Sequence, residues 1–180
     1  MLFHENQFAV SIIVTNQSGV LTRISSLFSQ RNFNIDTFTS GRTNDPEVAR
    51  ITITATGDHR KKDQLLKQIA KLYDVKKVEL MHPENTILRE LLIVKISASG
   101  DNLRTVLDAA NVFRSKVVDM SPGSVCIEVT GESSKIDAFI KFVAPYGILE
   151  YCRTGLIAVE RGPNCLYDPK RDALKKERDL

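Results

Sequence analysis

The feature that most restricts what this chain can fold into is a repeat: one succession of hydrophobic periods runs through it twice. Residues 8–14 form a short β-branched apolar run, the pattern of a buried strand. Past Asn16 and Gly19 the period lengthens. Val20, Ile24, Leu27 and Arg31 fall at helical spacing, and Leu21 and Phe28 widen the apolar stripe. Asn32 tolerates positive φ and is a natural helix stop. Residues 34–40 read as a strand and residues 41–46 as a turn. Ala49, Ile51, Ile53 and Ala55 then alternate with Arg50, Thr52 and Thr54, as a half-buried strand requires. Asp58 can cap a helix whose stripe is Leu65, Leu66, Ile69 and Leu72, and a strand over residues 75–80 closes the first pass.

The second pass starts with a strand at residues 91–96, followed by a helix marked by Leu103, Val106, Leu107, Ala110 and Phe113. Strands at 116–120 and 124–129 flank the turn dipeptide Pro122-Gly123. Ser134 with Asp137 resembles a capping box before the stripe of Ile136, Phe139, Ile140 and Val143. Pro145 and Gly147 stop that helix, and residues 148–159 supply the last strand. Each pass is β-α-β-β-α-β, so the predicted class is α+β, with two tandem ferredoxin-like units. The units are placed at residues 1–81 and 91–162, joined by a linker at 82–90. Residues 163–180 read as a charged tail with no amphipathic stripe. A unit of ~75 residues is marginal for burying a core alone. The second face of the first sheet, carrying Ala9, Ile13 and alternate residues of the third strand, is therefore expected to meet another unit or another chain.

Chemistry is concentrated between residues 16 and 41. Gly19 stands where a strand runs into the start of a helix, whose first N–H groups have no internal partners and whose dipole favours an anion. With no Cβ there, a carboxylate can approach the backbone closely. Asn16 offers an amide oxygen to an ammonium group, and Asn34, at the start of the second strand, offers another from a neighbouring chain. These are the parts of an α-amino-acid site. Each residue also has an ordinary role: Asn16 as a turn residue, Asn34 as a strand start, and the helix stripe as core.

The pattern N-x-x-G-V-L-x-R-I-x-x-L-F-x-x-R-x-F-N-I-D-T-F-T, spanning Asn16 to Thr39, resembles the signature of the small subunit of acetolactate synthase, also called acetohydroxyacid synthase. Its amino-terminal unit is an ACT domain. The resemblance continues through Asp45-Pro46, residues 50–53, residues 94–96, Phe113-Arg114, residues 137–139 and residues 153–155. It implies a non-catalytic regulatory subunit of the branched-chain amino acid pathway. Its partner would be the large catalytic subunit, which carries thiamine diphosphate, Mg²⁺ and often FAD; this chain would hold no cofactor. It also implies a homodimer through the ACT domains and feedback inhibition, usually by valine. Asn16, Gly19, Val20 and Leu21 of one chain, with Asn34 and Ile35 of the other, would line the effector site. Asn32 stands where the family often has Gly, and Gly41 where a small residue such as Ala is common. The second unit has Gly100 near the position equivalent to Gly19, but residues 116–119 contain no counterpart of Asn34, so no effector site is placed there. An amino-acid-sensing ACT protein acting on a different enzyme is the alternative.

Composition excludes the other users of this fold. Lys and Arg total 25 against 22 Asp and Glu, too near balance for a nucleic-acid surface. The third strand also lacks the aromatics on which an RNA-recognition module stacks bases. Arg60, Lys61, Lys62, Lys67 and Lys71 are the solvated face opposite Leu65 and Ile69. Cys126, Cys152 and Cys165 form no CxxC pair, and His4, His59 and His82 have no metal-ligand spacing. No apolar run reaches the ~18 residues of a membrane span, and residues 1–7 lack the pattern of a signal peptide, so a cytoplasmic location is expected.

Overall fold

The computed structural model describes residues 6–98, 100 and 102–168, and the chain in it forms two compact units. The first comprises residues 6–87 together with 156–168, and the second residues 88–155.

In the first unit the order is β1 (Gln7–Thr15), α1 (Val20–Gln30), β2 (Asn34–Arg42), β3 (Val48–Thr56), α2 (His59–Ile69) and β4 (Val75–Met81). The sheet runs β2-β3-β1-β4, with every pairing antiparallel. Val10 lies opposite Ile53 and Ile12 opposite Ile51, and this face packs on Ile24 and Phe28 of α1 and on Leu65 and Ile69 of α2. The helix ends follow local chemistry. Asn32 takes φ +56°, and Phe33 N–H reaches back to the Phe28 carbonyl at 3.0 Å, closing α1 as a Schellman motif. Asp58 Oδ1 accepts the Arg60 N–H at 2.8 Å and caps α2.

The chain continues with β5 (Thr86–Ala98), α3 (Asn102–Val112), β6 (Lys116–Ser121), β7 (Gly123–Gly131), α4 (Ser133–Val143) and β8 (Ile148–Arg153), in the sheet order β6-β7-β5-β8, and a short fifth strand, β9 (Ile157–Glu160), also pairs with β5. Leu92, Val94, Ile96, Val125, Ile127 and Val129 form the sheet side of the second unit's core, against Val106, Ile136, Phe139 and Val143 of the helices. The α+β class and the doubled β-α-β-β-α-β order are as the sequence predicts.

Four details differ. β5 begins at Thr86, so the expected linker shrinks to a single 3-10 turn over Pro83–Asn85. Its charged residue Glu90 is tolerated inside a strand because Arg153 Nε and Ser133 Oγ donate to it. Ser134 caps nothing: α4 starts at Ser133 with Glu132 at its N-cap, and Asp137 instead accepts from Arg153 Nη1 at 2.6 Å. The last strand is broken, since residues 154–156 separate β8 from a short β9 (Ile157–Glu160). Finally, Leu156 begins a segment that returns to the first unit. Leu166, only 1% exposed, packs there on Ile13 and Val48 of the sheet's second face. Leu166 is thus buried, with Tyr167 and Asp168 half-buried, where a solvated tail was expected; residues 163–165 are exposed as expected, and residues 169–180 lie outside the described residues. The second face of the first sheet is correspondingly not open, for Ala9, Ile13 and Val48 are all buried.

Candidate functional site

β1, an interior strand, ends just before Asn16 and Gly19 and so places them at one end of the first sheet, ahead of α1. Gly19 holds φ +82°, a left-handed conformation that disfavours any residue with a Cβ. No side chain caps α1 and its first turn contains no acidic residue, so the amides of its first turn point out uncompensated. Asn16 is held firmly. Its N–H donates to the Glu47 carbonyl at 2.8 Å and its Nδ2 to the Pro46 carbonyl at 3.0 Å, which turns Oδ1 to the acceptor role. Val20 points into the core, so only its backbone N–H faces outward, whereas the Leu21 side chain is 44% exposed.

Sequence reasoning missed the partners that hold this lip. Arg23, one helical turn beyond Gly19, pairs with buried Asp74 through Nη2 at 2.5 Å and Nε at 2.9 Å. Asp74 in turn accepts from the Thr15 hydroxyl and, through its carbonyl, from the Thr15 N–H. A Cβ on Gly19 would lie 3.2 Å from Arg23 Nη1. The β2–β3 turn is the other support: Asp45 Oδ1 accepts the Glu47 N–H at 3.0 Å, and the Thr43 hydroxyl donates to the Asp45 carbonyl. The i, i+4 spacing of Gly19 and Arg23 was a usable signal. The contact between Asn16 and the turn, thirty residues apart, left none.

The remaining residues of the expected site lie elsewhere. Thr15 pairs with Val48 at one end of β3, and Asn34 with Thr56 at the other. Eight residues of strand separate the two ends by about 27 Å. Asn34 Nδ2 donates to Asp36 Oδ1 at 2.8 Å, and Ile35 packs partly on the core. One chain therefore brings Asn16, Gly19 and Leu21 together but cannot add Asn34 and Ile35 to them. Among the described residues no cluster of His, Cys, Asp and Glu is arranged to hold a metal ion, and no helix is long and apolar enough to cross a membrane.

Comparison with known proteins covers both units. Residues 10–77 match the AHAS small subunit-like ACT domain, and residues 89–162 match the family described as the small subunit of acetolactate synthase. A probable acetolactate synthase small subunit from Methanothermobacter thermautotrophicus is 44% identical over 85% of this chain and 92% of its own length. The chain belongs to the acetolactate synthase small-subunit family. Within it, the small subunit from Haemophilus influenzae is 40% identical over 85% of this chain and 94% of its own. The crystal structure of the acetolactate synthase small subunit from Thermotoga maritima superposes with a TM-score of 0.81 at 33% identity, covering 89% of this chain and all of that one. The family thus extends across the second unit as well as the ACT domain.

Proposed function

We propose that the chain is the regulatory subunit of acetolactate synthase: it binds the large catalytic subunit in the cytoplasm, raises its activity and makes it sensitive to valine. Thiamine diphosphate, Mg²⁺ and FAD on this reading belong to the catalytic partner, and nucleic acid has no part. The observation that carries the proposal is the uncapped, left-handed Gly19 beside an Asn16 whose amide is already oriented by Pro46. A free amino acid matches it part for part. Its carboxylate meets the amides of the first α1 turn, its ammonium meets Asn16 Oδ1, and a branched side chain meets Leu21.

The missing half of the site is supplied by a second copy. β2 is an edge strand, and a two-fold axis near Phe38 would pair two β2 strands antiparallel into a continuous sheet. That axis sets the partner's Asn34 opposite Arg42, at the end of β2 joined to the turn that holds Asn16. Valine then bridges two chains and stabilises one arrangement of the pair over another. Such coupling between sites is worth about 1–3 kcal/mol. The test is calorimetric titration of the purified chain with valine, leucine and isoleucine. Saturable valine binding that disappears in Asn34→Ala is the expected result, followed by valine-sensitive activation of the catalytic subunit on reconstitution. A chain that binds none of the three refutes the effector assignment.

A further inference from the structure

Within residues 156–168, β9 pairs with β5, Leu166 packs on the second face of the first sheet, and the last anchor reaches the lip of the amino-acid site. The Leu156 N–H approaches Thr37 Oγ1 at 3.5 Å, and the Arg161 N–H donates to the Asn85 carbonyl at 2.8 Å. Burial draws the Arg50 guanidinium below its ordinary pKa, and the Glu160 carboxylate of the returning segment opposes that pull. Leu166 fills the contact with Ile13 and Val48, and Lys76 Nζ sits 5.9 Å from the centre of the Tyr167 ring. The last anchor is the informative one. Tyr167 donates its hydroxyl to Asp45 Oδ2 at 2.9 Å, inside the same turn whose Pro46 and Glu47 carbonyls hold Asn16.

One short turn is therefore gripped from two sides. Asp45 is shared: Oδ2 takes the phenol, while Oδ1 takes the Glu47 N–H. A shift of the Asp45 carboxylate moves both carbonyls on which Asn16 depends. We propose that Tyr167 is a positioning residue for the amino-acid site, so that the returning segment sets effector affinity through the 43–47 turn and Asn16. The inference rests on the reading of the Gly19 lip as the effector site and adds a regulatory element to it. Because residues 156–168 follow directly on the last residue of the second unit, the covalent chain then carries any displacement of the segment to Gly155.

The test uses the full chain. Tyr167→Phe removes the hydroxyl and keeps the ring, so the packing beside Leu166 and Lys76 survives. Its valine dissociation constant is expected to rise roughly 3- to 10-fold at an unchanged thermal midpoint, in the range that single residues of a coupled network shift affinity. Amide exchange at Asn16, measured without ligand, should quicken in the same variant. Leu166→Ala is the counterpart: it lowers the midpoint with the hydroxyl contact left in place and should change valine affinity less. An affinity within 2-fold of wild type in Tyr167→Phe, an unchanged Asn16 exchange rate, or an affinity loss that follows the thermal midpoint in both variants would each overturn the proposal. A wild-type chain that binds none of the three branched-chain amino acids fails earlier, at the effector site itself, and is distinguished by the first titration.

Discussion

At Gly57 a Cβ would lie 2.1 Å from Phe33 Cδ1, well inside contact distance. Phe33 meets Phe8 edge-on at 5.5 Å and Phe28 at 6.4 Å between ring centres, so it has nowhere to retreat. Gly57→Ala is expected to cost about 1–3 kcal/mol by overpacking, read as a lower midpoint in chemical denaturation. Wild-type stability in that variant would mean the ring moves freely. Gly19 answers to a different constraint, a positive φ at the uncapped start of α1. Gly19→Asp would strain the backbone and put a carboxylate, within reach of Arg23, where the proposed site takes the ligand's carboxylate. The expected outcome is loss of valine inhibition with activation of the catalytic subunit retained. A variant that stays fully valine-sensitive would place the site elsewhere. Both glycines are visible in the sequence, but only Gly19 has a neighbourhood, Asn16 to Leu21, that explains itself locally. The reason for Gly57 lies twenty-four residues away.

Among the elements, β1, α1 and α2 follow their hydrophobic periods closely because one face of each packs on the core; β3 keeps its alternation but is not half-buried, since Thr52 and Thr54 are buried too, Thr52 with the Ser11 hydroxyl at 3.2 Å. The elements that departed from expectation are held by long-range polar contacts. β5 runs through Glu90, which is buried and accepts from both Ser133 and Arg153. Burial lowers the pKa of Arg153, but its bonds to Glu90 and Asp137 and their charges outweigh that and raise it overall. A group whose pKa is raised by folding contributes stability in full below its unfolded value and loses it only as pH climbs through the folded one. For Arg153 that window lies in strong alkali, so this contribution is constant near neutrality. Arg153→Met leaves Glu90 buried with Ser133 as its remaining partner in the triad, and such losses cost about 3–5 kcal/mol. Adding Glu90→Gln should recover part of that loss. A double variant less stable than Arg153→Met alone would show that Glu90 does not depend on the guanidinium.

For the whole molecule, self-association would run through a strand edge rather than an open sheet face. The sequence suggested an open second sheet face, but residues 156–168 occupy part of it, and what the first sheet leaves unpaired among the described residues is its two edges, β2 and β4, of which β2 carries Asn34. Sedimentation at micromolar concentration is expected to show a dimer, and a monomer there would remove the two-chain effector site. The sequence alone determined the two-fold repeat, the α+β class, the helix caps at Asn32 and Asp58 and the glycine that opens α1. All of these are written in spacings of a few residues, over which backbone geometry and hydrophobic period act directly. Only the tertiary structure decided that the chain leaves the first unit at residue 87 and returns to it at 156, that Asn16 leans on a turn thirty residues away, and that Tyr167 grips the same turn from the other side. Those contacts depend on which surfaces folding brings together, and no local period records them.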